Sequence, residues 1–103
     1  DAARGVALIF IQKLCTAFHE FEPAWQSGAL NLTALEHYRA RLTSRARRVL
    51  EVLEANDLSD IEGVAQLRDL IDAIDAATNM DILAALADPF HGISHTLTDA
   101  LER

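Results

Sequence analysis

Residues 32–55 read LTALEHYRARLTSRARRVLEVLEA, and this stretch decides the fold. Leu35, Tyr38, Leu42, Ala46, Val49 and Leu53 recur at steps of three and four, which places all six on one side of an α-helix. Alternation, the mark of a half-buried strand, is absent from it. The spacing predicts a helix from about Leu32 to Ala55, with Asn31 or Thr33 as its N-cap and Asn56-Asp57 at its end.

Working outward, the same rhythm appears on both sides. Upstream, Ala7, Phe10, Leu14, Ala17 with Phe18, and Phe21 predict a first helix from about Ala2 to Glu22. Pro23 is expected to stop it, because proline has no amide donor and disfavours helical geometry in the residue before it. Pro23 to Leu30 reads as a loop, with Ser27-Gly28 as the turn and Trp25 folded back over the core. Leu8 and Ile9 lie away from the centre of the first helix's stripe, so this helix is apolar more widely than one buried face requires. It is either the central helix of the fold or an oligomer interface.

Downstream, Ser59-Asp60-Ile61-Glu62 has the form of a capping box. It predicts a third helix to about Ala77 that buries Ile61, Val64, Leu67, Ile71 and Ile74. Thr78-Asn79 is a break able to cap a short fourth helix carrying Ile82, Leu83 and Leu86. Asp88-Pro89 reads as an N-cap followed by proline in the first helical position, opening a last helix to about Leu101. Its buried side is Phe90, Ile93, Leu97 and Leu101. Short connections favour antiparallel neighbours, so the expected architecture is all-α: a compact four- to five-helix up-and-down bundle, one domain over residues 1–103.

Composition agrees. Eighteen alanines and fifteen leucines against four valines, four glycines and two prolines exclude a disordered tail, a collagen-like repeat and a strand-rich barrel. The net charge of −7 speaks against nucleic acid and anionic membrane surfaces as partners. Charge is polarised along the chain: residues 1–50 carry seven basic and four acidic side chains, residues 51–103 two and twelve. The longest apolar run, Gly5 to Ile11, is far short of the roughly 20 residues needed to span a bilayer. A lone cysteine, Cys15, excludes an internal disulfide and fits a reducing cytoplasm. The chain opens on Asp1 rather than Met, as a piece of a longer protein would.

Four constellations carry possible chemistry. His91 and His95 stand four residues apart on the last predicted helix, with Asp99 four further on; Cys15 and His19 repeat the spacing on the first, with Glu22 close by. If those two helices packed together, Cys15, His19, His91 and His95 could surround a tetrahedral metal ion. The more ordinary reading is two exposed histidines and a small packing cysteine. Helix two carries Arg39, Arg41, Arg45, Arg47 and Arg48, of which Arg41, Arg45 and Arg48 share a face suited to an acidic partner; a solvated face helped by Glu51 is the plainer account. Asp69, Asp72 and Asp75 run at steps of three and read as a solvated outer face.

Two short resemblances are visible. His95-Thr96-Leu97 resembles the His-containing helix of histidine phosphotransfer domains over three residues, although Thr98 and Asp99 stand where that family has Lys and Gly. Trp25-Gln26-Ser27-Gly28 resembles the turn of small WXG-type helical hairpins, with one residue too many between Trp and Gly. Neither extends far enough to identify a family.

No nucleophile–base pair, glycine-rich phosphate loop or strand-to-helix catalytic turn is present, so neither an enzyme nor a bound cofactor is expected. The leading expectation is a non-enzymatic interaction or assembly domain. It would self-associate, as a dimer, through apolar surface on the first helix (Leu8, Ile9 and Trp25) and present Arg41, Arg45 and Arg48 to an acidic protein partner. The alternative is a metal- or cofactor-binding bundle built on His91 and His95 with Cys15 and His19. A regulatory domain of a larger enzyme is a third.

Overall fold

The computed structural model describes residues 2–26 and 32–103. Among them the backbone forms five helices and no strand: α1 (Ala2–Gln26), α2 (Leu32–Ala55), α3 (Val64–Ala76), α4 (Met80–Ala85) and α5 (Ala87–Glu102). The expected all-α bundle is the observed one.

Paired contacts give the directions of the helices. Along α1 and α2, Glu20 meets Arg41, Lys13 meets Arg45 and Phe10 meets Arg48, so residue numbers rise on one helix as they fall on the other. Between α2 and α3 the pairs are Arg39 with Ala77, Arg47 with Asp75 and Glu54 with Arg68. Between α3 and α5, Glu62 just before α3 reaches Arg103 just after α5. Arg4 donates to the carbonyls of Ala100 and Leu101, and Phe18 stacks on Phe90 at 4.7 Å, which sets α5 antiparallel to α1. Each long helix thus runs against both of its neighbours in the ring α1–α2–α3–α5, with α4 as a short crossover packed on α1 and α5. At about 1.5 Å per residue the 25 residues of α1 span about 37 Å. That accounts for most of the 42 Å long axis.

The core follows the predicted stripes. On α2, Leu35, Leu42, Ala46, Val49 and Leu53 are buried, while Tyr38 is half-buried with its ring edge-on to Phe21. Leu14, Leu67, Ile74, Leu83 and Leu97 complete the inaccessible centre. Burial of Ile11 as well, beside Ala7 and Leu14, reflects the several neighbours, α2, α4 and α5, that α1 packs against.

The helix ends depart from expectation in three places. α1 does not stop at Pro23 but carries it inside and runs on to Gln26. Pro23 is exposed and only three residues from the helix end, where losing one amide donor disrupts few helical bonds. Trp25 consequently lies on the helix and is not folded over the core. Its indole Nε1 donates to Asp81 of α4 at 2.9 Å. The Ser27-Gly28 turn and the Asn31 cap lie outside the described residues, and Thr33 is already within α2.

Second, no capping box forms at Ser59–Glu62. These residues are turns, Ile61 is half-buried, and α3 starts only after Gly63, whose φ of 101° places it in the left-handed region. No side chain caps that end. Glu62 points instead to Arg103. Third, α5 begins at Ala87, so Asp88 and Pro89 occupy its first turn and not the cap and first position. Leu86, helical itself, joins α4 to α5 with almost no break, and the Phe90 amide donates to its carbonyl at 3.0 Å. Away from the ends, Phe10 and Ile93 are half-buried on stripes where full burial was expected.

Two ends match their predictions. Asn79 accepts from the Ile82 amide at 2.9 Å and caps α4. After α2, Asp57 turns to φ 58° and the Leu58 amide donates to the Leu53 carbonyl at 2.8 Å, with both leucines buried. This six-to-one bond with its apolar contact is a Schellman ending.

Candidate functional site

The outward line of α1 reads Ala2, Val6, Ile9, then Gln12, Lys13, Thr16 and Glu20, all exposed. It is apolar for about two turns and polar thereafter. Ile9 is 58% exposed and Val6 41%. Leu8, expected on this face, is half-buried and packs against the core. Val6, whose single-turn offset from Ile9 gives the same outward direction, takes its place. Trp25 is 38% exposed but sits about 24 Å along the helix from Ile9, so it belongs to a separate surface.

Beside Val6 the antiparallel pairing of α1 with α2 leaves a shallow groove. Ala2, Ala3, Val52 and Ala55 line it, with Arg48, Glu51 and Asn56 at its rim. Arg48 and Glu51 are well exposed and meet each other at 3.4 Å, a loose pair of neighbouring turns. Such an exposed pair contributes at most about 1 kcal/mol, so both groups can be drawn to other partners.

The arginines of α2 are largely engaged within the chain. Arg41 pairs with Glu20 at 2.7 Å, Arg45 donates to the Lys13 carbonyl at 2.8 Å, and Arg48 lies over the Phe10 ring at 5.4 Å. Arg41 and Arg45 fasten α2 to α1, whereas the Arg48 side chain stays 60% exposed. On the other flank, Arg39 donates to the carbonyl of Ala77 at 2.7 Å, satisfying the C-terminal end of α3. Arg47 binds Asp75, which also accepts from Thr43. Asp75 therefore serves the α2–α3 seam, whereas Asp69 and Asp72 are exposed, as a solvated face requires.

α1 and α5 do pack together, yet the alternative four-residue metal set is not assembled among the described residues. Cys15 is half-buried; burial raises its thiol pKa above the ordinary range, and the hydrogen-bonding Ser94 hydroxyl pulls the other way. His19 is exposed on α1. His91 and His95 lie on the outer side of α5, exposed, with their Nε2 atoms 3.1 Å apart and their rings edge to face. Among the described residues no three His, Cys, Asp or Glu side chains gather closely enough to hold a metal ion by themselves. No described helix is long and apolar enough to cross a membrane.

Comparison of the chain with protein-family models, with curated proteins and with solved structures finds no match.

Proposed function

We propose that this chain is a non-enzymatic assembly domain that pairs with a second copy of itself through the outer face of α1's first turns. The observation that carries this reading is the exposure of Val6 and Ile9 side by side at the start of α1, next to a shallow apolar groove. The adjoining groove supplies the receptor surface: Ala2, Ala3, Val52 and Ala55 are small or apolar, and one copy's Val6–Ile9 ridge fits against them.

The rim favours a second copy over an unrelated protein. A two-fold contact brings each rim against itself in reverse. Arg48 of one copy then meets Glu51 of the other, twice, so the two charges complement each other without a foreign partner. Burying each of the exposed valine and isoleucine faces contributes about 1 kcal/mol.

Charge exchange tests the pairing. Sedimentation velocity over a concentration series should show Arg48→Glu and Glu51→Arg each weakening the dimer, and the double exchange restoring it. Dimerisation indifferent to all three variants would dismiss this geometry.

A further inference from the structure

The outer side of α5 carries a second arrangement that self-association does not use. His91 and His95 are adjacent turns of one helix, and their Nε2 atoms converge to 3.1 Å. Two imidazole nitrogens bound to one Zn²⁺, each at about 2.0–2.1 Å, stand about 3 Å apart when the angle between them is near 100°. The observed separation, that of a hydrogen bond between the two rings, also matches the spacing of two ligands on one ion. We infer that His91 and His95 form a two-imidazole half-site for a divalent transition metal of the zinc, nickel and copper group, whose further coordination positions are filled by water or by donors of another molecule.

The helix beneath is held rigidly. Phe90 is buried and stacked on Phe18, Ser94 is buried with its hydroxyl donating to the His91 carbonyl at 2.8 Å, and Leu97 is almost inaccessible. These contacts alternate along α5 with the histidines, so burying one side of the helix fixes the direction of the other. Both rings are exposed, which leaves the ion an open approach. Gly92 between them adds no side chain to obstruct it, and the space above its Cα is open.

Proton accounting is simple. With both rings neutral, one Nε2–H donates to the other Nε2 across the 3.1 Å contact. For both Nε2 lone pairs to face the metal, the donating ring takes its proton on Nδ1 instead. No proton is lost to solvent, and no electron transfer is involved. Two ligands make a weaker site than the three or four of a dedicated zinc centre. Imidazole donors favour copper and nickel over magnesium or calcium.

The inference does not depend on the dimer. Titration calorimetry with Zn²⁺, and separately with Ni²⁺, on the metal-stripped whole chain should show saturable binding that is lost in His91→Ala and in His95→Ala. His19→Ala and His37→Ala, which change the two remaining histidines, should retain it. Circular dichroism of each variant reports whether the helices persist, and Mg²⁺ should give no binding. Absence of saturable Zn²⁺ and Ni²⁺ binding would overturn the inference, as would binding that survives both α5 variants with the fold intact. A dimer abolished by Ile9→Asp, with metal binding unchanged, would separate the two proposals.

Discussion

Gly63 meets two demands at one position. Its φ of 101° is a backbone conformation that other residues adopt only with strain, and a Cβ built there would lie 3.0 Å from Cγ and Cδ2 of Leu97. Leu97 is itself at the centre of the core, so it has little freedom to retreat. Gly63→Ala should therefore cost about 2 kcal/mol or more, lowering the melting temperature by about 8 °C or more for a chain of this size. Thermal unfolding followed by circular dichroism measures it, and an unchanged midpoint would mean that the turn into α3 relaxes freely. This residue was not legible in sequence. Ser59–Glu62 has the letters of a capping box, and only the approach of Leu97 from α5 shows why the chain turns at Gly63 instead. Leu8 is a similar case. Spacing alone sets it apart from the stripe, but which flank of α1 is covered depends on where α2 and α5 dock, and the exposed partner of Ile9 is Val6.

At the scale of elements, the amphipathic stripes were readable because each long helix buries one continuous side. The Leu35–Leu53 stripe of α2 predicted both bounds of its helix. Ends were harder, since their stability comes from contacts distant in sequence. α1 outlasts Pro23 in company with the Trp25–Asp81 bond to α4, 56 residues away. The end of α3 is satisfied by Arg39 and that of α5 by Arg4, neither of them local. Pro23 remains a defect within α1, removing a helical hydrogen bond near an exposed end. Pro23→Ala should raise the urea midpoint by an amount equivalent to about 1 kcal/mol or more, without loss of helix content. A lower midpoint would assign Pro23 a structural role that its exposure does not suggest.

At the scale of the whole molecule, much of the basic charge of α2 is used internally. Arg41 and Arg45 bind α1, and Arg39 and Arg47 bind the end of α3 and Asp75. An arginine row that suggested an acidic partner in sequence is, in three dimensions, largely the fastening between helices. Surface that stays apolar and exposed is confined elsewhere, and its main concentration on α1 is Val6 and Ile9 beside the α2 groove. The histidine pair was legible as a spacing of four; the converging Nε2 atoms were not, because ring orientation depends on rotamers that spacing does not determine. Self-association through α1 is the central claim, and mass is its most direct measure. Native mass spectrometry of the wild-type chain across a range of concentrations should show a growing population at twice the chain mass. Ile9→Asp should remain at the single mass throughout while keeping its helical circular dichroism. A wild-type chain that stays at the single mass at every concentration, or an Ile9→Asp chain that doubles like the wild type, would contradict the claim.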